Sequence, residues 1–280
     1  MPLTVPTTKS ILAASLILFP SAAFAAGNIA GPVVHRDVPY VKNGDKKQSL
    51  DIYTPPSGKL HPIIFWIHGG GWRSGDKSEV HKKPPAFVAG GFVFVSVGYR
   101  LYASVTTRTI TQDVAKAFRW MHDHASEYGG DESVMFVMGH SAGAQLAALL
   151  CTDEHYLQAE GLALSNVKGC IPVDGDTYDL PLQIGTVEQK RKDIYMRMFG
   201  DAENQKAMSS VMHAARGKGI PPFLLIHVAT HPETKAQAER LAKALQEAGV
   251  STKLFAAENT NHVKLNADMG PYDDKATQAV

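Results

Sequence analysis

Apolar runs separated by polar and glycine-rich stretches divide the chain into alternating strands and helices. Residues 61–70 (HPIIFWIHGG), 92–101 (FVFVSVGYRL) and 134–140 (VMFVMGH) are rich in β-branched and aromatic side chains. Such runs are typical of central strands that are buried on both faces. The stretches VVHRDVPYV and QSLDIYTP alternate instead, which predicts a pair of edge strands. Three later stretches, VKGCIPVDG, PPFLLIHV and TKLFAA, predict further strands.

Helical periodicity fills the intervals between these strands. Ile110, Val114 and Phe118 recur on one face of a predicted helix that ends at two glycines. AGAQLAALLC is apolar nearly all round and predicts a buried helix, whereas TKAQAERLAKALQEAG is amphipathic and stops at Gly249. HKKPPAFVAGG predicts a short helix. This alternation predicts an α/β fold with a mostly parallel central sheet and helices on both faces.

The chain shows no internal repeat, low-complexity tract or linker, so residues 26–280 are predicted to form a single domain. One interval, about 176–220, is too long for a simple crossover between strands. It contains at least one helical stretch, RKDIYMRMF. We expect this interval to form a small cap-like insertion over the functional site.

Composition and charge exclude two classes of function. The chain has 280 residues with 28 Lys and Arg against 27 Asp and Glu, and 44% of its residues are hydrophobic. This near-neutral balance, without a basic cluster, argues against a nucleic-acid surface. No stretch reaches the roughly 18 apolar residues of a membrane span.

The first 25 residues have the pattern of a cleavable signal peptide. Lys9 precedes the apolar run ILAASLILF, and small residues follow at Ala23 and Ala25. A disordered apolar tail and a short membrane anchor are the alternatives. Cleavage after Ala25 predicts an exported protein, periplasmic or extracellular. An oxidising compartment permits a Cys151–Cys170 disulfide, since both residues are expected at the same end of the sheet; two separate buried thiols are the alternative.

The sequence Gly-His-Ser-Ala-Gly, residues 139–143, lies between a predicted buried strand and a predicted buried helix. This is the context of a nucleophile elbow, in which a sharp turn exposes a serine at the start of a helix. We therefore predict Ser141 as a catalytic nucleophile. The alternative is an ordinary core turn, which the pattern without its context would equally fit.

Two further elements complete a hydrolytic site. The glycines of HGGGW follow a predicted strand, and their N–H groups face a substrate without side-chain obstruction. Gly70 and Gly71, with Ala142 after the nucleophile, are the predicted donors of an oxyanion hole. His262 follows the last predicted strand, where the order Ser, acid, His places the general base. His68 is expected to hydrogen bond within its own loop.

The motifs HGGGW, YRL, GHSAGA, GIPPFLLIHV and NHVKLN resemble the α/β-hydrolase fold. Within it the chain is similar to small secreted carboxylesterases of the HGGG kind, near the hormone-sensitive-lipase and feruloyl-esterase-like groups. The resemblance runs from about His35 to Asp274. It implies hydrolysis of carboxylic esters of small to medium acyl chains through an acyl-Ser141 intermediate.

The acid of the expected triad departs from the family pattern. Members of the family commonly carry an Asp shortly after the strand that ends here in LIHV, but this chain reads ATHPE there. Glu233 is the carboxylate of that loop, and Glu is an accepted alternative. We expect Glu233 to be the acid, with Asp174 and Asp176 after the preceding strand as alternatives. Glu233 could instead serve the start of the following helix.

The expected chemistry needs no cofactor or metal, and no cluster in the sequence has metal-ligand spacing. The expected partner is a small-molecule ester substrate. The sequence is compatible with two other functions. One is a catalytically inactive hydrolase fold that binds a ligand, for which the irregular acid motif is the support. The other is an amidase or peptidase that uses the same triad.

Overall fold

The computed structural model describes residues 31–280, so the predicted signal peptide at residues 1–25 lies outside the described part. Eight strands form one sheet in the order β1-β2-β4-β3-β5-β6-β7-β8. β1 and β2 are antiparallel to their neighbours, and β3 to β8 are parallel. The strands are β1 (Val33–Pro39), β2 (Ser49–Thr54), β3 (His61–Ile67), β4 (Val93–Val97), β5 (Gly130–His140), β6 (Val167–Val173), β7 (Phe223–Val228) and β8 (Thr252–Ala257).

Helices cover both faces of this sheet. They are α1 (Lys83–Ala89), α2 (Thr107–His124), α3 (Ala142–Leu150), α4 (Glu154–Ala159), α5 (Leu180–Thr186), α6 (Gln189–Phe199), α7 (Ala202–Ala207), α8 (Pro232–Glu247), α9 (His262–Asp268) and α10 (Lys275–Ala279). Three 3-10 turns, Ala125–Tyr128, Leu164–Asn166 and Ser210–Met212, complete the secondary structure of this part of the chain.

The two faces hold separate cores because side chains alternate along each strand. In β3, Phe65 belongs to the core under α2, α3 and α8, and its ring contacts that of Phe118 at 5.3 Å. The next residue, Trp66, points to the opposite core under α1, α9 and α10. Both faces of the central strands are therefore apolar, and the prediction of a mostly parallel sheet between two helical layers is confirmed.

Two sequence-based expectations about elements were incomplete. The stretch around β2 was expected at an edge, but β2 pairs with both β1 and β4 and every residue in it is buried. The polar Asp51 makes this stretch alternate like an edge strand, but its buried carboxylate forms ion pairs with Arg36 and Lys77 instead of facing solvent. The short helices α4, α5, α7 and α9 were not predicted, since they are too brief to show clear periodicity.

Residues 176–220, the insertion segment, join β6 to β7 and contain α5, α6 and α7. The predicted helical stretch falls in α6. The main chain of α6 is tied to the body of the domain by the Tyr102 hydroxyl, which donates to the Arg197 carbonyl at 2.7 Å. No helix between residues 31 and 280 is both long and apolar enough to cross a bilayer.

Cys151 and Cys170 are buried and carry free thiols. Cys170 Sγ donates to the Ala147 carbonyl at 3.5 Å. Burial, followed by the adjacent Cys151 thiol, raises the pKa of Cys170 well above its ordinary value. Of the two alternatives, a disulfide or two buried thiols, the structure therefore has two buried thiols that lie next to each other.

Candidate active site

The turn between β5 and α3 has the geometry of a nucleophile elbow. Ser141 adopts φ 57° and ψ −121°, a conformation that costs a non-glycine residue about 1–3 kcal/mol. Its N–H donates to the Val173 carbonyl at 3.0 Å, so the neighbouring strand β6 helps to hold the strained turn. The serine side chain is partly exposed directly before a helix whose residues are all buried. This agrees with the predicted placement of Ser141.

The flanking glycines are required by close approach of the backbone. A Cβ atom on Gly143 would lie 2.2 Å from the Ile67 carbonyl oxygen, and one on Gly139 would lie 2.3 Å from the Gly143 oxygen. Both distances are far shorter than van der Waals contact. The first turn of α3 can therefore pack against the end of β3, where the HGGGW loop begins.

His262 is held by a carboxylate, and that carboxylate belongs to Asp174. Nδ1 of His262 lies 2.7 Å from Oδ2 of Asp174. The other oxygen, Oδ1, accepts from the Val228 N–H at 2.8 Å. Asp174 follows β6 directly and takes a left-handed conformation with φ 51°, which Asp tolerates better than most residues. Its side chain is fully buried between the ends of β6 and β7.

The environment of Asp174 favours the ionised carboxylate. Burial alone would raise the pKa of Asp174, but the hydrogen bonds from His262, Thr234 and the Val228 N–H outweigh it and lower the pKa below its usual range. An ionised acid on Nδ1 fixes the imidazole in the tautomer whose Nε2 accepts a proton, and it stabilises the imidazolium.

The expectation that Glu233 is this acid is wrong as a matter of geometry. Glu233 lies in the first turn of α8, where Arg191 Nη1 of α6 binds its carboxylate at 2.5 Å and Gln183 donates to it at 3.2 Å. The Glu233 carboxylate is thus engaged by the insertion segment, while Nδ1 of His262 is bonded to Asp174. Asp176, the third candidate, is bound by Arg191 at 2.6 Å and by the Tyr195 hydroxyl at 2.9 Å.

The HGGGW loop lies beside the elbow. A Cβ atom on Gly69 would be 3.2 Å from Cβ of Ser141, which shows how closely the loop approaches the serine. Gly70 and Gly71 have φ values of 112° and 58°. A side chain at Gly70 would collide with the Ser74 carbonyl at 2.1 Å. Gly71 and Ala142 both line the cavity in front of Ser141.

His68 and Tyr99 hold the HGGGW loop through hydrogen bonds and ring stacking. The Tyr99 hydroxyl donates to the His68 carbonyl at 2.8 Å, and the two rings stack with centroids 4.2 Å apart. Nδ1 of His68 lies 2.7 Å from the Gly69 carbonyl, as expected for a bond within the loop. Burial lowers the pKa of His68 to about 4, so its imidazole is neutral at neutral pH.

The cavity in front of Ser141 has a volume of about 400 Å³. His262, Gly71 and Ala142 line it beside the serine, and α6 supplies a largely apolar wall next to the charged Arg191. The wall side chains are Ile194, Tyr195 and Met198. His231 also lines the cavity, with its ring centroid 6.2 Å from that of His262. No motif in the sequence pointed to His231, which is the N-cap of α8 and whose side chain accepts from the Thr234 N–H.

His140, the residue before the nucleophile, is buried against the other side of the base. Its Nε2 lies 3.0 Å from the His262 carbonyl, and the two rings are 4.4 Å apart. Burial, followed by the charges of His262 and Lys83, lowers the pKa of His140 to about 3. This ring therefore forms a neutral wall of the elbow. Within residues 31–280, no group of His, Cys, Asp and Glu side chains is arranged to hold a metal ion.

Comparison with solved structures supports the class of fold. The butyrate-bound esterase Est2 of Thermogutta terrifontis superposes with a TM-score of 0.68 at 23% identity, covering 90% of this chain and 91% of that chain. At this level of identity the likeness concerns the fold, which is that of an α/β hydrolase.

Comparison with sequence families and relatives places the chain more narrowly. A family model described as BD-FAE matches residues 50–245, and the chain belongs to this family. The esterase LipQ of Mycobacterium tuberculosis is 28% identical over 245 residues, which are 81% of this chain and 56% of LipQ. The chain thus spans little more than half the length of that relative. Kynurenine formamidase of Danio rerio is 26% identical over 82% of this chain and 74% of its own length.

Proposed function

We propose that this chain is a serine carboxylesterase that hydrolyses carboxylic esters of small to medium acyl chains. The observation that carries the proposal is the 2.7 Å bond between His262 Nδ1 and a fully buried Asp174, with His262 lining the same cavity as Ser141. A buried, ionised carboxylate on the outer nitrogen of an imidazole is the arrangement that activates a serine nucleophile. Membership of the BD-FAE family and likeness to esterases support the same chemistry.

Acylation begins when Ser141 Oγ attacks the ester carbonyl carbon and His262 Nε2 accepts the hydroxyl proton. The carbonyl oxygen becomes an oxyanion, for which N–H groups of Gly70, Gly71 and Ala142 are the proposed donors. The N–H of Ala142 is available because it belongs to the first turn of α3, which has no acceptor within the helix. The tetrahedral intermediate collapses as His262 returns its proton to the departing alcohol.

Deacylation repeats the same steps with water. His262 takes a proton from a water molecule, the resulting hydroxide attacks the acyl carbon, and the proton passes to Ser141 as the acid product leaves. Asp174 keeps its negative charge throughout and stabilises the imidazolium. Every proton and leaving group in these steps is accounted for by the substrate, water, Ser141 and His262.

The size of the cavity supports a preference for short acyl chains. Its volume of about 400 Å³ lies near the small end of ligand pockets, which range from about 300 to 1,000 Å³. A series of p-nitrophenyl esters tests this preference, with acetate or butyrate expected to give the highest kcat/KM. Faster turnover of palmitate than of both short esters would contradict the short-chain proposal.

The nucleophile is tested with Ser141→Ala and a fluorophosphonate probe. We expect the wild-type chain to be labelled and the variant to be neither labelled nor active on p-nitrophenyl acetate. Ser133→Ala is a matched control, because this exposed serine lies at the other end of β5, where its N–H and hydroxyl donate to Asp131. Wild-type turnover by Ser141→Ala would overturn the proposal, and an unlabelled, inactive wild-type chain would favour the ligand-binding alternative.

A second candidate activity is amide hydrolysis by the same groups. The observation in its favour is the likeness to a kynurenine formamidase. Paired assays of an ester and of the amide with the same acyl group separate the two activities. We expect the ester to be hydrolysed with the higher kcat/KM, and the reverse order would make the chain an amidase.

We also propose that the protein is exported to the periplasm or outside the cell, with residues 1–25 removed. The support is the succession of Lys9, an apolar run and small residues at Ala23 and Ala25. Mass spectrometry of the mature N-terminus tests this directly. A mature chain that begins before Ala23 and stays in the cytoplasm would contradict it.

A further inference from the structure

Lys83 is a fully buried lysine on the face of the sheet that carries α9. It is among the largest side chains without solvent exposure, and it is the first residue of α1. A cation is disfavoured at that position, because the start of a helix carries partial positive charge. Burial of a charge costs several kcal/mol unless polar partners surround it. An apolar side chain would serve packing alone better, so the contacts of its ammonium group need an explanation.

Those contacts join Lys83 to the helix that begins with His262. Nζ donates to the backbone carbonyl of Asn266 at 2.6 Å and to its side-chain Oδ1 at 2.8 Å. The ammonium also lies 4.4 Å from the centroid of the Trp66 ring, a cation–π contact. Asn266 is in the last turn of α9, where carbonyls have no intrahelical donor and a cation is favoured.

The distance along α9 from this contact to the catalytic imidazole is short. The helix has seven residues, and Asn266 lies four residues, about 6 Å of helix rise, after His262. Such a short helix has little stability of its own, so its position depends on tertiary contacts. These are the packing of Leu265 in the core and the contacts at the two ends of the helix. At the other end, Asn261 Oδ1 accepts from the Lys264 N–H at 2.9 Å, and the His262 carbonyl meets His140.

We propose that Lys83 is a positioning residue for catalysis: by binding the C-terminal turn of α9 it holds His262 in register with Asp174 and Ser141. The inference rests on the proposed hydrolase function for its kinetic consequences. Lys83 does not line the cavity and touches no reacting atom. Burial lowers the pKa of Lys83 to about 7. The buried amine still bonds to two oxygens of Asn266 and contacts the Trp66 ring.

The test compares Lys83→Met with Lys82→Met. Methionine keeps an unbranched side chain of similar length but has no ammonium. Lys82 is the matched control, because its exposed ammonium pairs with Asp268 of the same helix at 3.0 Å. We expect Lys83→Met to lower kcat about 10- to 100-fold with KM nearly unchanged, the scale of a catalytic group displaced by about 1 Å. Lys82→Met is expected to stay within about twofold of wild type, as exposed pairs contribute little.

A double-mutant cycle separates positioning from general damage to the fold. In an Asp174→Asn background His262 has already lost its orienting partner, so Lys83→Met should add less than about threefold. The 15N shifts of the His262 ring supply a readout that needs no turnover. We expect wild type and Lys82→Met to show the Nδ1–H form and Lys83→Met to show a mixture, with His262→Gln identifying the signals.

Wild-type kcat and wild-type His262 shifts in Lys83→Met would overturn the inference. It would also be overturned if Lys83→Met lowered kcat in the Asp174→Asn background by as large a factor as it does in the wild type. If Lys83→Met does not fold, Asn266→Ala takes its place, because it removes one of the two acceptors. A fall of about threefold or more with altered His262 shifts then supports positioning, and unchanged values reduce Lys83 to a structural role. An inactive, unlabelled wild-type chain would contradict the esterase proposal separately, and the NMR comparison would still decide on Lys83.

Discussion

Replacing Asp174 by Asn changes one buried atom in the proposed triad while keeping the size of the side chain. In the native structure both carboxylate oxygens accept hydrogen bonds, one from Val228 and one from His262, at 2.8 and 2.7 Å. An amide has one oxygen and one NH₂ group. The oxygen is expected to stay with the Val228 N–H, because leaving that buried donor unpaired costs about 1–3 kcal/mol.

The NH₂ group then faces Nδ1 of His262 and forces that nitrogen to become an acceptor. The ring proton moves to Nε2, which can no longer take the proton of Ser141. Loss of the correct tautomer with intact geometry lowers kcat about 10⁴-fold in serine hydrolases that use this triad. This corresponds to about 5 kcal/mol of activation free energy. KM should change little, because Asp174 does not line the cavity.

The assay measures kcat and KM for p-nitrophenyl butyrate, with thermal unfolding followed by circular dichroism. Glu233→Gln is the matched control, since it makes the same chemical change at the carboxylate that binds Arg191. We expect that control to keep kcat within about threefold of wild type. The assignment fails if Asp174→Asn retains more than a tenth of wild-type kcat, or if Glu233→Gln is the variant that loses activity.

Three further predictions concern stability and specificity. Gly143→Ala is expected to destabilise the protein by several kcal/mol, since its Cβ would lie 2.2 Å from a backbone oxygen. Chemical denaturation should show a lower midpoint, and an unchanged midpoint would contradict this account of the elbow. His68 and His140 have pKa values of about 4 and 3 in the fold, so the unfolded chain takes up protons at a higher pH than the folded protein does. The free energy of unfolding should therefore be highest above about pH 6.5 and should fall by about 2 to 3 kcal/mol per histidine by about pH 4.5. Thermal melts that do not change over this range would refute this prediction. Ile194→Ala enlarges the apolar wall, so kcat/KM for octanoate relative to acetate should rise severalfold, and an unchanged ratio would remove Ile194 from the acyl site.

The periodicity of the sequence was sufficient to predict the central strands and the long helices. β4, residues 63–67 of β3 and residues 137–140 of β5 are buried on both faces of the sheet, and continuous apolar runs indicate this burial. β2 was misjudged because Asp51, a polar position in the pattern, is satisfied by ion pairs inside the fold. The alternation of polar and apolar residues shows which side chains are charged. It does not show whether a distant segment will supply an ion-pair partner that allows a charged side chain to be buried.

The same limit explains the misplaced acid. Ser141, His262 and the HGGGW loop could be predicted because their local context, strand then turn, fixes where they emerge. Glu233 and Asp174 both follow neighbouring strands, and sequence position does not distinguish them. The choice depends on Arg191, a residue more than 40 positions before Glu233 that binds its carboxylate. The burial of Lys83 could not be predicted for a related reason, since a lysine in a sequence usually indicates an exposed position.

The acid at the end of β6 changes what the loop after β7 has to do. The proposed nucleophile and acid follow adjacent strands, β5 and β6, so the loop from Ala229 to His231 carries no member of the proposed triad. This loop contributes His231 to the cavity wall. Substitutions there can alter which substrates fit while the proton-transfer groups stay in place. The fold thereby separates recognition from chemistry along the chain, and this short loop is a natural starting point for redesigning specificity.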